Sequence, residues 1–229
     1  MYISRIPLNT ARFAARQLIS SPYRLHAAVE NAFPPGVVRK SDEGRILWRL
    51  DFSRDGNSTW LYVVSPERPD FTHIVEQAGW PTRAEWEVKD YEPLITHIAK
   101  GQEWAFRLRA NPARKVYKDM GKRPNPAVVG KVMGHVTIDK QLSWLKKCSE
   151  RNGFALLGSS EEEAGLSCVV SQRRKEQFAH GNSKVTLITA QFDGQLRVTD
   201  AQAFQHCLRQ GIGRAKSFGC GLLTVAPIR

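Results

Sequence analysis

Two stretches carry residues that could do chemistry on a phosphate. The first is Gln210-Gly211-Ile212-Gly213-Arg214-Ala215-Lys216-Ser217-Phe218-Gly219-Cys220-Gly221-Leu222-Leu223. Glycines at 211, 213, 219 and 221 permit left-handed backbone and close approach of a ligand. Successive backbone N–H groups in such a loop make an anion-binding concavity. Arg214, Lys216 and the Ser217 hydroxyl add donors suited to phosphate. The second stretch is Tyr23-x-x-His26, directly after Ser21-Pro22. Ser21 as N-cap and Pro22 at the first helical position start a helix there. A spacing of three puts both side chains on one face. Leu25, Ala28, Val29 and Ala32 fall on another, apolar face, so the pair points away from the core. The start of a helix favours an anion, and an imidazole serves as acid or base near neutral pH. Each stretch also has a plainer reading. A tight helix-to-strand connection explains one or two glycines, and a Tyr/His pair on a solvated helix face needs no function.

The glycine loop resembles two nucleotide-binding signatures and fits neither. A dinucleotide fingerprint follows a strand and opens a helix, whereas this loop follows a helix and enters a strand. A Walker-type loop needs glycine directly before the Lys-Ser pair, and Ala215 stands there. No bound cofactor is therefore expected. The anion must be of another kind, and the composition points to it. The chain of 229 residues holds 34 Lys and Arg against 22 Asp and Glu, a net charge of +12. That excess favours a polyanion, with nucleic acid ahead of an anionic membrane surface. Cys148, Cys168, Cys207 and Cys220 lack zinc-site spacing, and a reduced cytoplasmic protein is the simplest reading of them. No apolar run reaches the ~20 residues that span a bilayer, and Met1-Tyr2-Ile3-Ser4-Arg5 lacks a signal-peptide core.

The elements that must position these residues follow from the pattern along the chain. Residues 2–8 read as a strand. Asn9 or Thr10 caps a helix through Ile19, and Ser21 caps a second through Ala32. Ile46, Trp48, Leu50 and Phe52 alternate with Leu47, Arg49 and Asp51; after a turn at Asp55-Gly56-Asn57, Trp60, Tyr62 and Val64 alternate again, which makes a hairpin. A short helix near 71–78 and a strand at 85–91 complete a β-α-β-β-α-β order, the ferredoxin-like pattern. Residues 92–101 read as a linker. Trp104, Phe106, Leu108 and Ala110 form a strand whose other face carries Arg107 and Arg109. Residues 113–134 read as a basic loop, mobile when unbound, with Lys115, Lys122 and Arg123. Asp139 caps a helix to about Asn152, and 154–157 form a strand. Residues 166–174 and 184–192 make a long hairpin over a tip at 180–183. Leu196–Val198 adds a strand, Asp200 caps a helix to Gln210, and 222–226 form the last strand. The expected class is α+β: two tandem ferredoxin-like (RRM-like) domains, 1–92 and 102–229, with a C-terminal glycine-rich loop.

The run Gly211 to Leu223 closely resembles the glycine-rich loop of the CRISPR repeat-processing endoribonucleases of the CasE family, the type I-E Cascade subunit. Phe106-Arg107-Leu108-Arg109-Ala110-Asn111-Pro112, Gly121-Lys122-Arg123 and the opening Met1 to Arg5, with Tyr23 and His26, are similar to the same family. The likeness runs from end to end. It implies a metal-independent endoribonuclease that cleaves precursor CRISPR RNA 3′ of the repeat hairpin. The products would be a 5′-hydroxyl and a 2′,3′-cyclic phosphate. It implies partners too: the repeat RNA, retained as guide, and the other Cascade subunits, with no membrane. The family's catalytic histidine and tyrosine match His26 and Tyr23; which of them is acid and which base stays open. Some relatives carry a lysine five residues beyond the histidine, where this chain has Asn31; Arg24, Arg39 and Lys40 are candidates for that charge.

In this family the long hairpin engages the RNA stem, which assigns Arg173, Arg174 and Lys175 on one arm and Lys184 on the other. A stem is read through backbone and shape because its major groove is deep and narrow. Arg107 and Arg109 either line a cleft between the sheets or form structural ion pairs. Arg24, Lys115, Lys122, Arg123, Gly211, Gly213, Arg214, Lys216, Ser217, Gly219 and Gly221 complete the expected RNA contacts. Two other classes stay open: a non-catalytic subunit that only binds the hairpin, and a two-metal nuclease, for which the chain offers no carboxylate cluster. His206 next to Cys207 reads as helix packing, and Glu161-Glu162-Glu163 as a solvated loop.

Overall fold

The description comes from a computed structural model that covers residues 1–37, 39–53, 59–82, 85–117, 129–158, 168–181 and 183–228. The expected turn at Asp55-Gly56-Asn57, Lys122, Arg123, the run Glu161 to Glu163 and the hairpin's expected start at Leu166 lie outside the described residues.

β1 (Tyr2–Leu8) leads into α1 (Phe13–Ser20) and α2 (Pro22–Glu30), then β2 (Leu47–Phe52), β3 (Thr59–Ser65), α3 (Thr72–Ala78) and β4 (Glu87–Asp90). The four strands make an antiparallel sheet in the order β2-β3-β1-β4. Ile6, Leu8, Trp48, Leu50, Leu61 and Val63 pack one face of it against Leu25 and Val29 of α2 and Ile74 and Val75 of α3. α4 (Glu92–His97) follows, then β5 (Glu103–Ala110), β6 (Ala113–Lys115), β7 (Val132–Gly134), α5 (Ile138–Arg151), β8 (Phe154–Leu156), β9 (Cys168–His180), β10 (Ser183–Val198), α6 (Ala201–Gln210) and β11 (Leu223–Ala226). The second sheet runs β11-β5-β10-β8, with β9 lying along β10. Phe106, Leu108, Phe192 and Leu196 pack there with Leu145 of α5 and Phe204 and Leu208 of α6. Both sheets are antiparallel and the class is α+β, as expected.

The alternating β2–β3 hairpin is covered on both faces. Leu47 and Val64 belong to the second core, which Tyr62 also lines, while Leu61 and Val63 face the helices. A second sheet covers what reads locally as the solvent face. Several expectations need correction. Residues 92–101 are no simple tether: Ile95 and Ile98 are buried in the second core, and Arg209 of α6 pairs with Glu92. The expected basic loop contains a two-stranded sheet, β6 with β7. Leu196–Val198 is no separate strand; it continues β10, which pairs with β9 from Ser183 to Gly194, with β5 from Ala190 to Arg197 and with β8 from Leu196 to Val198. Two caps also differ. Arg12 sits at the N-cap of α1 without a side-chain bond, and Asn9 Oδ1 instead accepts from the Ala11 N–H at 3.0 Å. Thr137, not Asp139, is the N-cap of α5, which leaves Asp139 in the first turn. Asp200 caps α6 as expected, accepting from the Ala203 N–H at 3.0 Å.

One buried cation ties the sheets together. Arg49 of β2 is 2% exposed. Its Nε and Nη2 donate to both Asp51 carboxylate oxygens at 2.6 and 3.0 Å. Its remaining donors cross to the second sheet: to the Arg107 carbonyl at 2.9 Å, the Leu222 carbonyl at 3.1 Å and Thr224 Oγ1 at 3.0 Å. Asp51 Oδ2 also accepts from Arg107 at 3.2 Å, and Arg107 pairs with Asp193 at 2.5 Å. A guanidinium presents its donors in a rigid fork, so this network fixes how one sheet sits on the other.

Candidate functional site

α2 starts as its sequence dictates. Ser21 Oγ accepts from the Arg24 N–H at 3.3 Å and Pro22 occupies the first turn. Leu25 and Val29 are fully buried, which turns the opposite face outward. Tyr23 on that face is 44% exposed. His26 lies one turn on, its Nδ1 3.9 Å from Glu30 Oε1. Glu30 in turn holds Arg39, Oε2 to Nε, at 2.5 Å. A His–Glu–Arg sequence of contacts therefore runs along and beyond the helix. Glu30 went unremarked in the sequence reading, although its place four residues after His26 is the spacing that brings side chains together on a helix. Arg24 and Asn31 are exposed, and Asn31 is the C-cap of α2.

The glycine loop sits against this helix. Its 3-10 turn, Lys216–Phe218, packs on α2, and so does β9. Residues almost two hundred positions apart thus form one surface. The ring of Phe218 meets that of Phe178 on β9 edge to face, centroids 4.9 Å apart. All four loop glycines have left-handed φ, between 70° and 91°. Two of them show why a side chain is excluded: a Cβ on Gly219 would lie 2.4 Å from the Trp48 ring, and one on Gly221 2.5 Å from the Ile212 carbonyl oxygen. Close packing therefore accounts for all four glycines, more than the plainer reading allowed: Gly211 and Gly219 meet Leu47 and Trp48 of the first sheet, Gly213 meets Trp144 of α5 and Gly221 the loop's own backbone. Replacing Gly219 with alanine combines left-handed strain with a clash against a buried indole and should cost at least ~2 kcal/mol. Thermal unfolding checks this; at roughly 2–4 °C per kcal/mol for a chain of this size, Tm should fall by about 4 °C or more.

The remaining expected residues divide by environment. Arg109 is committed to the loop: it donates to the Phe218 and Gly219 carbonyls at 3.2 and 2.9 Å and pairs with Glu176 at 2.6 Å. Arg107 and Arg109 thus both form structural ion pairs, and Arg109 also lines a cleft between the sheets. Arg173 donates to the Val136 carbonyl, while Arg174 lies over the Phe52 ring at 5.6 Å. The two adjacent cations thus address different neighbours. Lys175, Lys184 and Arg214 are exposed, as is Lys115, whose ammonium lies 5.7 Å from the Tyr117 ring. Ser217 is half-buried in the 3-10 turn. Lys216 is half-buried as well, and desolvation, then the charges of Arg45 and Lys40, hold its ammonium below the usual lysine pKa. Cys207 is fully buried and burial raises its pKa, as expected of packing rather than chemistry. Among the described residues no three His, Cys, Asp or Glu side chains gather as metal ligands, and no helix is long and apolar enough to cross a membrane.

Comparison with known proteins bears on this arrangement. A family model described as CRISPR associated protein matches residues 1–227. The CRISPR-associated endoribonuclease Cse3 of Thermus thermophilus is 31% identical over 235 residues, spanning 99% of this chain and 100% of that protein. The CRISPR system Cascade subunit CasE of Escherichia coli K12 is 28% identical over 232 residues, spanning 100% of both. Among solved structures, the CRISPR endoribonuclease Cse3 bound to a 19-nucleotide RNA superposes with a TM-score of 0.79 at 28% identity, covering 99% of this chain and 100% of the other.

Proposed function

This chain belongs to the CRISPR-associated family of CasE endoribonucleases, and from that premise we propose how it works. It processes CRISPR repeat RNA, binding the repeat hairpin and serving with the other Cascade subunits. The cut falls 3′ of the stem by attack of a 2′-hydroxyl on the adjacent phosphate, without metal. It leaves 5′-hydroxyl and 2′,3′-cyclic phosphate ends. The observation that carries this reading is the junction of the Tyr23/His26 face, the glycine-loop turn and the β9–β10 hairpin on one surface. The hairpin and the exposed cations Arg24, Lys115, Lys175, Lys184 and Arg214 hold the stem, whose backbone is the accessible feature. The nucleophile must lose a proton, the leaving oxygen must gain one, and the phosphorane must be stabilised. His26 and Tyr23 move the protons. Glu30 sets a carboxylate oxygen 3.9 Å from His26 Nδ1. Lys216 supplies the charge that a lysine at the Asn31 position supplies in some relatives. Arg39 is already engaged by Glu30, whereas Lys216 is half desolvated among other cations, where a phosphate would favour its charged form.

The fold behind this is a pair of ferredoxin-like domains, 1–92 and 102–229. The order β1-α-β2-β3-α3-β4 recurs as β5-α5-β8-β10-α6-β11. Both sheets then follow one arrangement, with the first and third strands in the middle.

The test is to incubate the purified protein with its host's repeat RNA in EDTA and identify the product ends. Cleavage 3′ of the stem with cyclic phosphate ends is expected. Tight binding without any cut would favour a purely RNA-binding subunit.

A further inference from the structure

We propose that the cleft between α2, β2 and β9 takes one unpaired nucleobase bearing an exocyclic amine, that of the first nucleotide 3′ of the cut. This rests on the reading that the Tyr23/His26 face cuts RNA. The cleft has a volume of about 280 Å³ and is walled by Pro22 and Leu25 of α2, Trp48, Leu50 and Phe52 of β2, and Phe178 of β9. Pro22 stands four residues before His26, on the same side of α2, so the rim of the cleft adjoins the catalytic face. Its lining is mixed: Ser20, Arg109, Gln172, Arg174, Glu176 and Gln177 complete it, so the flat face of a base can lie on the aromatic side while its edge meets polar groups.

The polar groups in the cleft are incompletely used. Glu176 Oε1 accepts from Arg109 at 2.6 Å and from Thr189 Oγ1 at 3.1 Å. Glu176 Oε2 and the indole N–H of Trp48 are both buried, and neither has a hydrogen-bond partner among the described residues. Trp48 is 2% exposed. Leaving such groups unpaired is costly, and a bound ligand commonly supplies the partner. A carboxylate only accepts, so the ligand must bring a donor, which on a base is an N–H. Adenine, cytosine and guanine carry an amine on the edge of the ring. The N–H of uracil lies between two carbonyls that would face the carboxylate. Arg174 also lines the cleft, a cation for the phosphate of the entering nucleotide. β9 is bulged here: its register against β10 shifts between Thr189 and Gln191, opposite Gln172, which has φ of 44°. Bulges of this kind recur beside functional sites, where they re-aim side chains.

The base pocket has a chemical purpose. Attack by a 2′-hydroxyl needs the leaving 5′-oxygen in line with it, which regular stacking prevents. Anchoring the next base outside the stack holds the backbone near that geometry.

The test is single-turnover cleavage, in EDTA, of repeat hairpins that differ at the first nucleotide 3′ of the cut. That position carries adenosine, uridine, an abasic residue or purine riboside, which is adenosine without its amine. The adenosine substrate should be cut on the order of 10-fold faster than the other three. Glu176→Gln places an N–H donor where the carboxylate accepted, so it should abolish the preference or turn it towards uridine, while binding the cleaved hairpin as wild type does. Equal rates for all four substrates with the wild-type protein would overturn the proposal. So would an unchanged preference in a Glu176→Gln protein that still binds the hairpin. If that variant no longer binds, the wild-type series decides alone. Failure to cut any of the hairpins would count against the nuclease reading itself.

Discussion

Replacing His26 with alanine lowers the single-turnover rate of repeat cleavage by ~10²–10⁴-fold, the usual contribution of a positioned acid or base, and leaves affinity for the hairpin at the wild-type level. The separation follows from where the residue sits. His26 lies on a different side of α2 from the fully buried Leu25 and Val29, and its side chain keeps 29% of its surface exposed, so its loss should disturb the core less than the loss of either. In the proposed function the stem is held by the hairpin and its exposed cations instead. Rate and affinity should be measured on the same preparation. A variant that cuts at the wild-type rate would refute the assignment. One that loses binding and cleavage together would move His26 from chemistry to RNA recognition.

Replacing Arg49 with leucine destabilises the fold by ~3–5 kcal/mol, the range found when one partner of a buried ion pair is removed. At roughly 2–4 °C per kcal/mol, Tm falls by about 6–20 °C. The substitution strands Asp51, the Arg107 and Leu222 carbonyls and Thr224 Oγ1 at the junction of the two sheets. The double replacement Arg49→Leu with Asp51→Leu should recover part of the loss, because it no longer leaves a buried carboxylate short of its partner. If the double variant is as unstable as the sum of the two single ones, the pair is not coupled in this way. Cleavage should fall in the single variant as well, since α2 packs on the turn at Lys216–Phe218 and that turn moves with the second sheet.

The residues differ in how legible they were. Ser21-Pro22 announces the start of α2 because cap chemistry is local, and the predicted bond forms. The strands around Trp48 and Leu61 are visible because one face of each must meet the helices. The opposite face, with Leu47, Arg49 and Asp51, reads as solvent because its partners are contributed from beyond position 100. The same limit hid the helix at Glu92–His97: Pro93 resembles a linker residue until Ile95 and Ile98 are seen in the second core. In the glycine loop the positions were evident but their reason was not. The ring that forbids a Cβ at Gly219 belongs to Trp48. The resemblance to a known family singled out His26 and Tyr23. Their neighbour Glu30 and the cleft with Glu176 became visible only once the chain was folded.

The most direct measurement replaces a single oxygen in the RNA. A repeat hairpin with a 2′-deoxy nucleotide immediately 5′ of the cut is incubated with the protein in EDTA, and its binding and cleavage are compared with those of the all-ribose hairpin. If the Tyr23/His26 face activates that 2′-hydroxyl, the deoxy RNA binds as tightly as its parent and is not cut. Cleavage of the deoxy hairpin at the parent rate would show that the nucleophile is something else and contradict the mechanism.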